Sequence, residues 1–254
     1  MTPTAFIDCL DMQEVPPYPL NFDVIDFLKE WKVRDEITSR GMWALIDKIW
    51  TKDLAEWIGD RKTLEIMAGH GWLAKALEEH GVDIIATDNF EWRGFRHSKG
   101  KPFDLVKNMG GLDAVKKYTR AEVLIVSWPP YENEEICNIC EKWGPDRPII
   151  YIGEGGGGCT ATDTFHRNFN TDEHLEMRIP QWDSLHDWLQ IGTYDAKTLE
   201  KEIRKNMNIL MDGDDPPTNA TKLAEEAAYE LDWQDKWLDD PDHKVWEVAL
   251  NFFD

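Results

Sequence analysis

One stretch, residues 63–88, constrains the fold of this chain more than any other. Thr63-Leu64-Glu65-Ile66 is a short apolar run that carries an acid. The chain then turns through Gly69-His70-Gly71 and enters Trp72-Leu73-Ala74. From Gly81 a second apolar run, Val82-Asp83-Ile84-Ile85-Ala86-Thr87-Asp88, ends in another acid. The pattern predicts a strand, a tight glycine turn, a helix and a second strand. Glycines let a backbone approach a ligand closely, and the free N–H groups at a helix start favour negative charge. An acid closing the second strand can accept hydrogen bonds from ribose hydroxyls. The segment therefore reads as a site for a nucleotide-like cofactor.

Gly69-His70-Gly71-Trp72-Leu73-Ala74 satisfies the dinucleotide pattern G-x-G-x-x-G/A. Glu65 argues against a nicotinamide cofactor, because a dinucleotide strand usually carries no charge four residues before its first glycine. An acid before a Gly-x-Gly turn resembles motif I of the class I S-adenosylmethionine (SAM) methyltransferases. That resemblance implies SAM as cofactor, with Glu65 organising the loop near the methionine part, Gly69 and Gly71 forming the turn, and Asp88 on the ribose. Met67 stands where many members of that family have another glycine, a departure that reshapes the loop and keeps the turn.

A second anchor is Ala121-Glu122-Val123-Leu124-Ile125-Val126-Ser127-Trp128-Pro129-Pro130-Tyr131. It predicts a buried strand stopped by two prolines, which cannot donate to a ladder. It resembles the Asp/Asn/Ser-Pro-Pro-Tyr/Phe motif of amino-methyltransferases, at the fourth strand of the sheet. In that motif a polar side chain and the first prolyl carbonyl hold the target amine, and the ring packs on the planar substrate. Here Trp128 takes the polar position and Ser127 comes one residue early. The resemblance implies Trp128, Pro129 and Tyr131 at the acceptor, with Ser127 and Asn108 on the cofactor side. Ligands in open α/β sheets sit outside the carboxyl ends of the strands, which is where these residues fall.

Pro148–Thr162 supplies the expected fifth strand, closing on Glu154 and four consecutive glycines, Gly155 to Gly158. Such a run marks close backbone approach or mobility. Glu154 is the candidate polar group in place of the missing motif residue, since a carboxylate there can accept a proton or bind an amine. Phe103–Asn108 is the best third strand, with Asp104 or Asn108 within reach of an adenine amino group. Leu175–Trp182 and Asp187–Tyr194 alternate in period two and suit the closing antiparallel hairpin.

The expected fold is α/β: a seven-stranded Rossmann-like methyltransferase sheet with helices on both faces. Residues 1–60 form an irregular, proline-rich start (1–20) and a helical lead-in, 61–194 the SAM-binding core, and 195–254 an acidic helical extension. The extension carries 16 acids against 7 bases. Its Asp212-Gly213-Asp214-Asp215 turn lacks the alternating ligands of a calcium loop.

Composition bounds the partners. With 28 Lys and Arg against 49 Asp and Glu, the net charge is −21, a field that repels phosphates and membrane surfaces. Nucleic acid is disfavoured, though not a local basic stretch such as Trp92–Lys101. No apolar run of about 18 residues predicts a membrane span, and the N-terminus lacks a signal pattern. Four cysteines make no disulfide framework, Cys137-x-x-Cys140 has no zinc-spaced partner, and no metal site is expected. A cytoplasmic setting follows. The function expected is methyl transfer from SAM to a planar, amine-bearing acceptor: a nucleobase, a nucleotide or a small molecule. Two alternatives are a SAM-cleaving enzyme and a catalytically altered binding or inhibitory protein whose acidic surface mimics nucleic acid.

Overall fold

The computed structural model describes residues 1–26, 29–91, 99–172, 175, 177–182 and 185–197. The chain divides into two compact units, Met1–Asp195 and Ala196–Asp254. The expectations for residues 198–254 and for most of the Trp92–Lys101 stretch lie outside the described residues.

Seven strands form one sheet: β1 (Thr63–Ile66), β2 (Ile84–Asp88), β3 (Val106–Asn108), β4 (Val123–Ser127), β5 (Ile149–Gly153), β6 (Phe169–Thr171) and β7 (Trp188–Tyr194). Their spatial order is β3-β2-β1-β4-β5-β7-β6. Strands β3 through β5 in that order pair in parallel, while β7 runs antiparallel to both β5 and β6. This is the seven-stranded Rossmann-like sheet expected. The central strands are apolar without alternation because both of their faces are covered. All of β1 and β5 is buried, Glu65 included.

Helices cover the two faces. On one lie α1 (Pro3–Asp11), α2 (Glu30–Thr38), α3 (Lys48–Ile58) and α4 (Trp72–Glu79), with Phe6, Ile37, Leu54 and Leu77 packed on Val123, Ile125, Ile150 and Ile152. On the other lie α5 (Gly111–Lys117), α6 (Glu135–Trp143) and α7 (Asp163–Asn168), with Val115, Ile139 and Phe165 on Leu64, Ile66, Leu124 and Tyr151. Successive residues of one strand serve opposite layers, as the pleat requires. Short side chains start several helices. Asp47 accepts from Ile49 N (2.8 Å) and Thr162 from Phe165 N (3.1 Å).

Three expectations are corrected. Residues 3–11 are helical rather than irregular. Pro3 suits the first helical position, Thr2 Oγ1 accepts from Ala5 N at 3.3 Å, and Phe6, Cys9 and Leu10 fall on one buried face. The third strand is only the last three residues of the segment proposed. The first strand of the closing hairpin is Phe169–Thr171, not Leu175–Trp182. The latter makes isolated bridges, Met177 with Leu189 and Trp182 with Leu185. Its alternation arises because Leu175, Met177 and Ile179 pack on the first core layer, and Pro180 cannot donate to a ladder.

The β6–β7 pair depends on a close backbone approach. A Cβ on Gly192 would lie 2.3 Å from the Asn170 carbonyl oxygen. Gly192→Ala should therefore cost about 1–3 kcal/mol, read as a lower urea midpoint at unchanged slope; an unmoved midpoint would show that the two strands are not held that close.

Candidate active site

The carboxyl edge of β1 and β2 is organised by two buried acids. Asp88, the last residue of β2, accepts from Gly69 N (2.7 Å) and Phe90 N (2.6 Å), one bond on each carboxylate oxygen. The end of β2 thereby fixes the glycine turn that follows β1. The Ala68 N–H adds a bond to the Thr87 carbonyl at 3.0 Å. Gly71 starts α4 with φ +85°, and a Cβ there would strike Val106 Cγ2 at 2.3 Å. Met67, two residues before Gly69, has a left-handed backbone (φ 53°). A non-glycine residue pays about 1–2 kcal/mol for that conformation.

Glu65 faces the α4 side of the sheet. Its carboxyl accepts from the Ala74 backbone N–H in the first turn of α4, which has no side-chain cap of its own. Burial raises its pKa to about 8; the Ala74 bond opposes the rise and Asp88 adds to it. Its Oε2 is buried with no hydrogen-bond partner. An orphaned buried carboxyl oxygen is costly in a folded chain.

The lead-in helices are tied to this turn. The Arg40 carbonyl lies 2.8 Å from His70 Nδ1 and accepts from Trp72 Nε1 at 2.9 Å. The Arg40 guanidinium bonds to Asp11 of α1 and Glu36 of α2. His70 fills the space beside Gly41, where a Cβ would lie 2.1 Å from its ring. His70 and Arg40 carry no motif signal in the sequence; the fold alone brings them to the site.

The second half of the edge lies beyond β4 and β5. Ser127 ends β4 in register with Ile152 and is half-buried. Asn108 ends β3 in register with Asp88 and is exposed. Trp128 leaves the strand with φ 52°, an outlier for a bulky residue, and its N–H donates to the Ile152 carbonyl at 2.7 Å. Pro129 is buried and its carbonyl accepts from Ala161 N at 3.3 Å. Tyr131 is 59% exposed. Backbone strain of this kind persists only where its surroundings over-determine it, and it clusters at functional sites.

Glu154 gathers the glycine loop around itself. Its Oε2 accepts from Cys159 N (2.7 Å) and its Oε1 from His186 N (3.4 Å). Burial raises its pKa, but the bonds from Cys159 and His186 prevail and hold it below the ordinary range. A Cβ on Gly158 would meet the Glu154 side chain at 2.4 Å, so this glycine serves close approach. The buried Tyr151 hydroxyl donates to the Glu154 carbonyl (2.7 Å) and lies 2.6 Å from Thr160 Oγ1, anchoring both ends of the loop.

Trp128 sits in an aromatic cluster that the sequence shows only in part. Its ring stacks on Trp43 at 5.8 Å and 30°. The Arg34 guanidinium lies over Trp31, Trp43 and Trp128 at 5.7, 5.8 and 5.4 Å. Trp128 Nε1 donates to Asp187 Oδ1 at 2.5 Å. Asp187 is 1% exposed, and burial raises its pKa to about 7 against the pull of Trp128 and Arg34. Arg34 escaped the sequence reading because α2 is a polar helix, and Asp187 because it falls inside an alternating run.

Elsewhere, Cys137 and Cys140 are buried in the core against α6's neighbours, and burial raises both thiols. Among the described residues there is no cluster of His, Cys, Asp and Glu that could hold a metal ion, and no helix long and apolar enough to cross a membrane.

No protein-family model matches this chain, and no curated protein matches it. Solved structures do. The tRNA methyltransferase TrmK of B. subtilis is 14% identical with a TM-score of 0.37, over 72% of this chain and 94% of that one. TehB of Haemophilus influenzae is 11% identical, TM-score 0.38, over 64% and 67%. The methyltransferase CalH in complex with SAH is 15% identical, TM-score 0.38, over 68% and 65%. Likenesses this distant carry no activity across to this chain.

The raised Glu65 pKa sets a pH signature. The unfolded carboxyl ionises near 4.5, the folded one near 8. The folded state therefore holds the extra proton between those values, and its advantage is complete below 4.5 and lost as pH rises towards 8. Glu65→Gln removes this titration. Relative to the variant, the native chain should lose thermal stability between pH 5 and 9; parallel melting curves across that range would place the Glu65 carboxyl in water.

Proposed function

We propose that this chain is a SAM-dependent methyltransferase that transfers the methyl group to a planar, amine-bearing acceptor. The observation that carries the cofactor is Glu65 Oε2, buried and unpartnered at the end of β1, beside a glycine turn that Asp88 holds open to a ligand's approach. A group with a cationic N–H donor would satisfy that oxygen, and the methionine moiety of SAM offers one. Asp88 accepts from Gly69 N and Phe90 N, and a carboxylate at the end of β2 is the acceptor that ribose hydroxyls suit. Gly71 leaves no side chain between the turn and the site. Asn108 would stand towards the adenine and Ser127 towards the methyl-bearing end. These residues fit the group.

The cofactor supplies an activated methyl on its sulfonium, so the protein's work is chiefly to bring the acceptor nitrogen into line. Trp128, fixed by its strained backbone and by the Asp187 bond, forms one wall of the acceptor side. Pro129 holds the chain's exit from β4. Tyr131, exposed at the rim, covers the planar face of the acceptor. Glu154, ionised and bound by two N–H groups, shapes the loop wall and gives a negative field for a nitrogen that gains positive charge. Exclusion of water falls to Trp43 and Trp128.

Calorimetric titration with SAM, and separately with NAD, tests the cofactor. Saturable binding of SAM alone is expected, and binding of NAD alone would end this reading. Asp88→Asn should weaken SAM binding by about 1–3 kcal/mol with the fold kept, since one amide oxygen can still serve Gly69. Tyr131→Ala should leave SAM affinity within about twofold and cut turnover by about tenfold or more; lost SAM affinity instead would place the ring on the cofactor.

A further inference from the structure

The aromatic cluster at Trp128 contains two buried polar atoms with no partner, Arg34 Nε and Asp187 Oδ2. Both belong to side chains more than nine-tenths buried. Both meet the same indole: Arg34 lies over its face and Asp187 on its N–H. They attract one another electrostatically, yet among the described residues no ion pair joins them. A donor and an acceptor thus stand unsatisfied around one flat aromatic wall, with Trp43, 45% exposed, on the solvent side.

The chemistry of a ligand follows by elimination. An apolar ring would leave both atoms orphaned at full desolvation cost. A cation would meet Arg34, and an anion would meet Asp187 and Glu154. A neutral planar group with an acceptor beside an N–H donor satisfies both atoms at once, and its π face suits the indoles. We infer that Arg34 and Asp187 are the recognition pair of an aminated nucleobase, Arg34 Nε donating to the ring nitrogen and Asp187 Oδ2 accepting from the neighbouring exocyclic amine. Asp187 thereby takes the amine-holding role that Trp128 has vacated, from a different part of the chain. Entry requires neighbouring side chains to move, because Oδ2 is covered.

This deepens the acceptor side of the function proposed above and rests on it, but base binding can be read without the cofactor. The full chain is titrated calorimetrically with two matched pairs: adenosine against purine riboside, and cytidine against pyrimidin-2-one riboside. Each pair differs only by the exocyclic amine. At least one amine-bearing nucleoside should bind, about tenfold or more tighter than its partner. Asp187→Asn keeps a carbonyl for Trp128 Nε1 but presents a donor to the amine, so the preference should shrink to about twofold or less. Arg34→Gln should weaken both members of the pair alike, by about tenfold. Equal binding within each pair, an Asp187→Asn preference equal to the native one, or binding only of N-acetylglutaminamide would overturn the assignment. Nucleoside binding without SAM binding would sink the methyltransferase reading alone; SAM binding with no nucleoside binding would sink this one alone.

Discussion

The bond from Gly69 N–H to the Asp88 carboxylate, at 2.7 Å, is the joint on which this edge of the molecule depends. It links the end of one central strand to the turn leaving its neighbour. Through that turn it fixes where α4 begins, and through Trp72 and His70 it fixes where the Arg40 carbonyl and the lead-in helices sit. A charged acceptor makes this a strong bond, shorter than a neutral pair would give. Asp88 is 4% exposed, so its charge is worth most when several N–H groups meet it. A ribose bound there would share an acid already committed to the loop. Cofactor affinity and loop order are then one quantity, and this is why the amide variant is a cleaner probe of Asp88 than truncation.

Glu65 is a different kind of acid. Desolvation dominates it, and one backbone bond from α4 does not restore what water gave. A protonated carboxyl costs the apo chain less than a buried charge. An approaching ammonium would reverse that preference, so the same side chain can be neutral when alone and ionised when paired. β1 is buried along its whole length, so the orphaned oxygen has no water to turn to.

The sheet was legible because its signals are local. Apolar runs ended by Gly69, by Pro129 and by Gly153 define β1, β4 and β5 without reference to anything distant. Glu65 could be singled out because it is an acid inside such a run, and Asp88 because it closes one. Three things were not legible. The Pro3–Asp11 helix hides among prolines, yet the first of them occupies the first helical position, where an N–H would have no intrahelical partner to lose. Strand β6 has three residues, too few to alternate visibly, and owes its existence to the missing Cβ of Gly192. Arg34 and Asp187 are separated by most of the core in sequence and meet only because β7 runs antiparallel beside β5.

The net charge of −21 and the Arg34 cluster bear on the same question. A protein that grips nucleic acid through its phosphates needs cations at the surface, where counterions are released. Here one guanidinium is buried over three indoles, and an acid stands close to it. Such a cation contributes little to long-range attraction, because Asp187 and Glu154 offset its field. What it can contribute is direction: a fixed N–H beside three indole rings. A site of that kind reads a planar group by its hydrogen-bonding edge and is indifferent to phosphates. The acidic composition and the aromatic cluster are therefore consistent with the acceptor proposed above, one held by its ring rather than by phosphates.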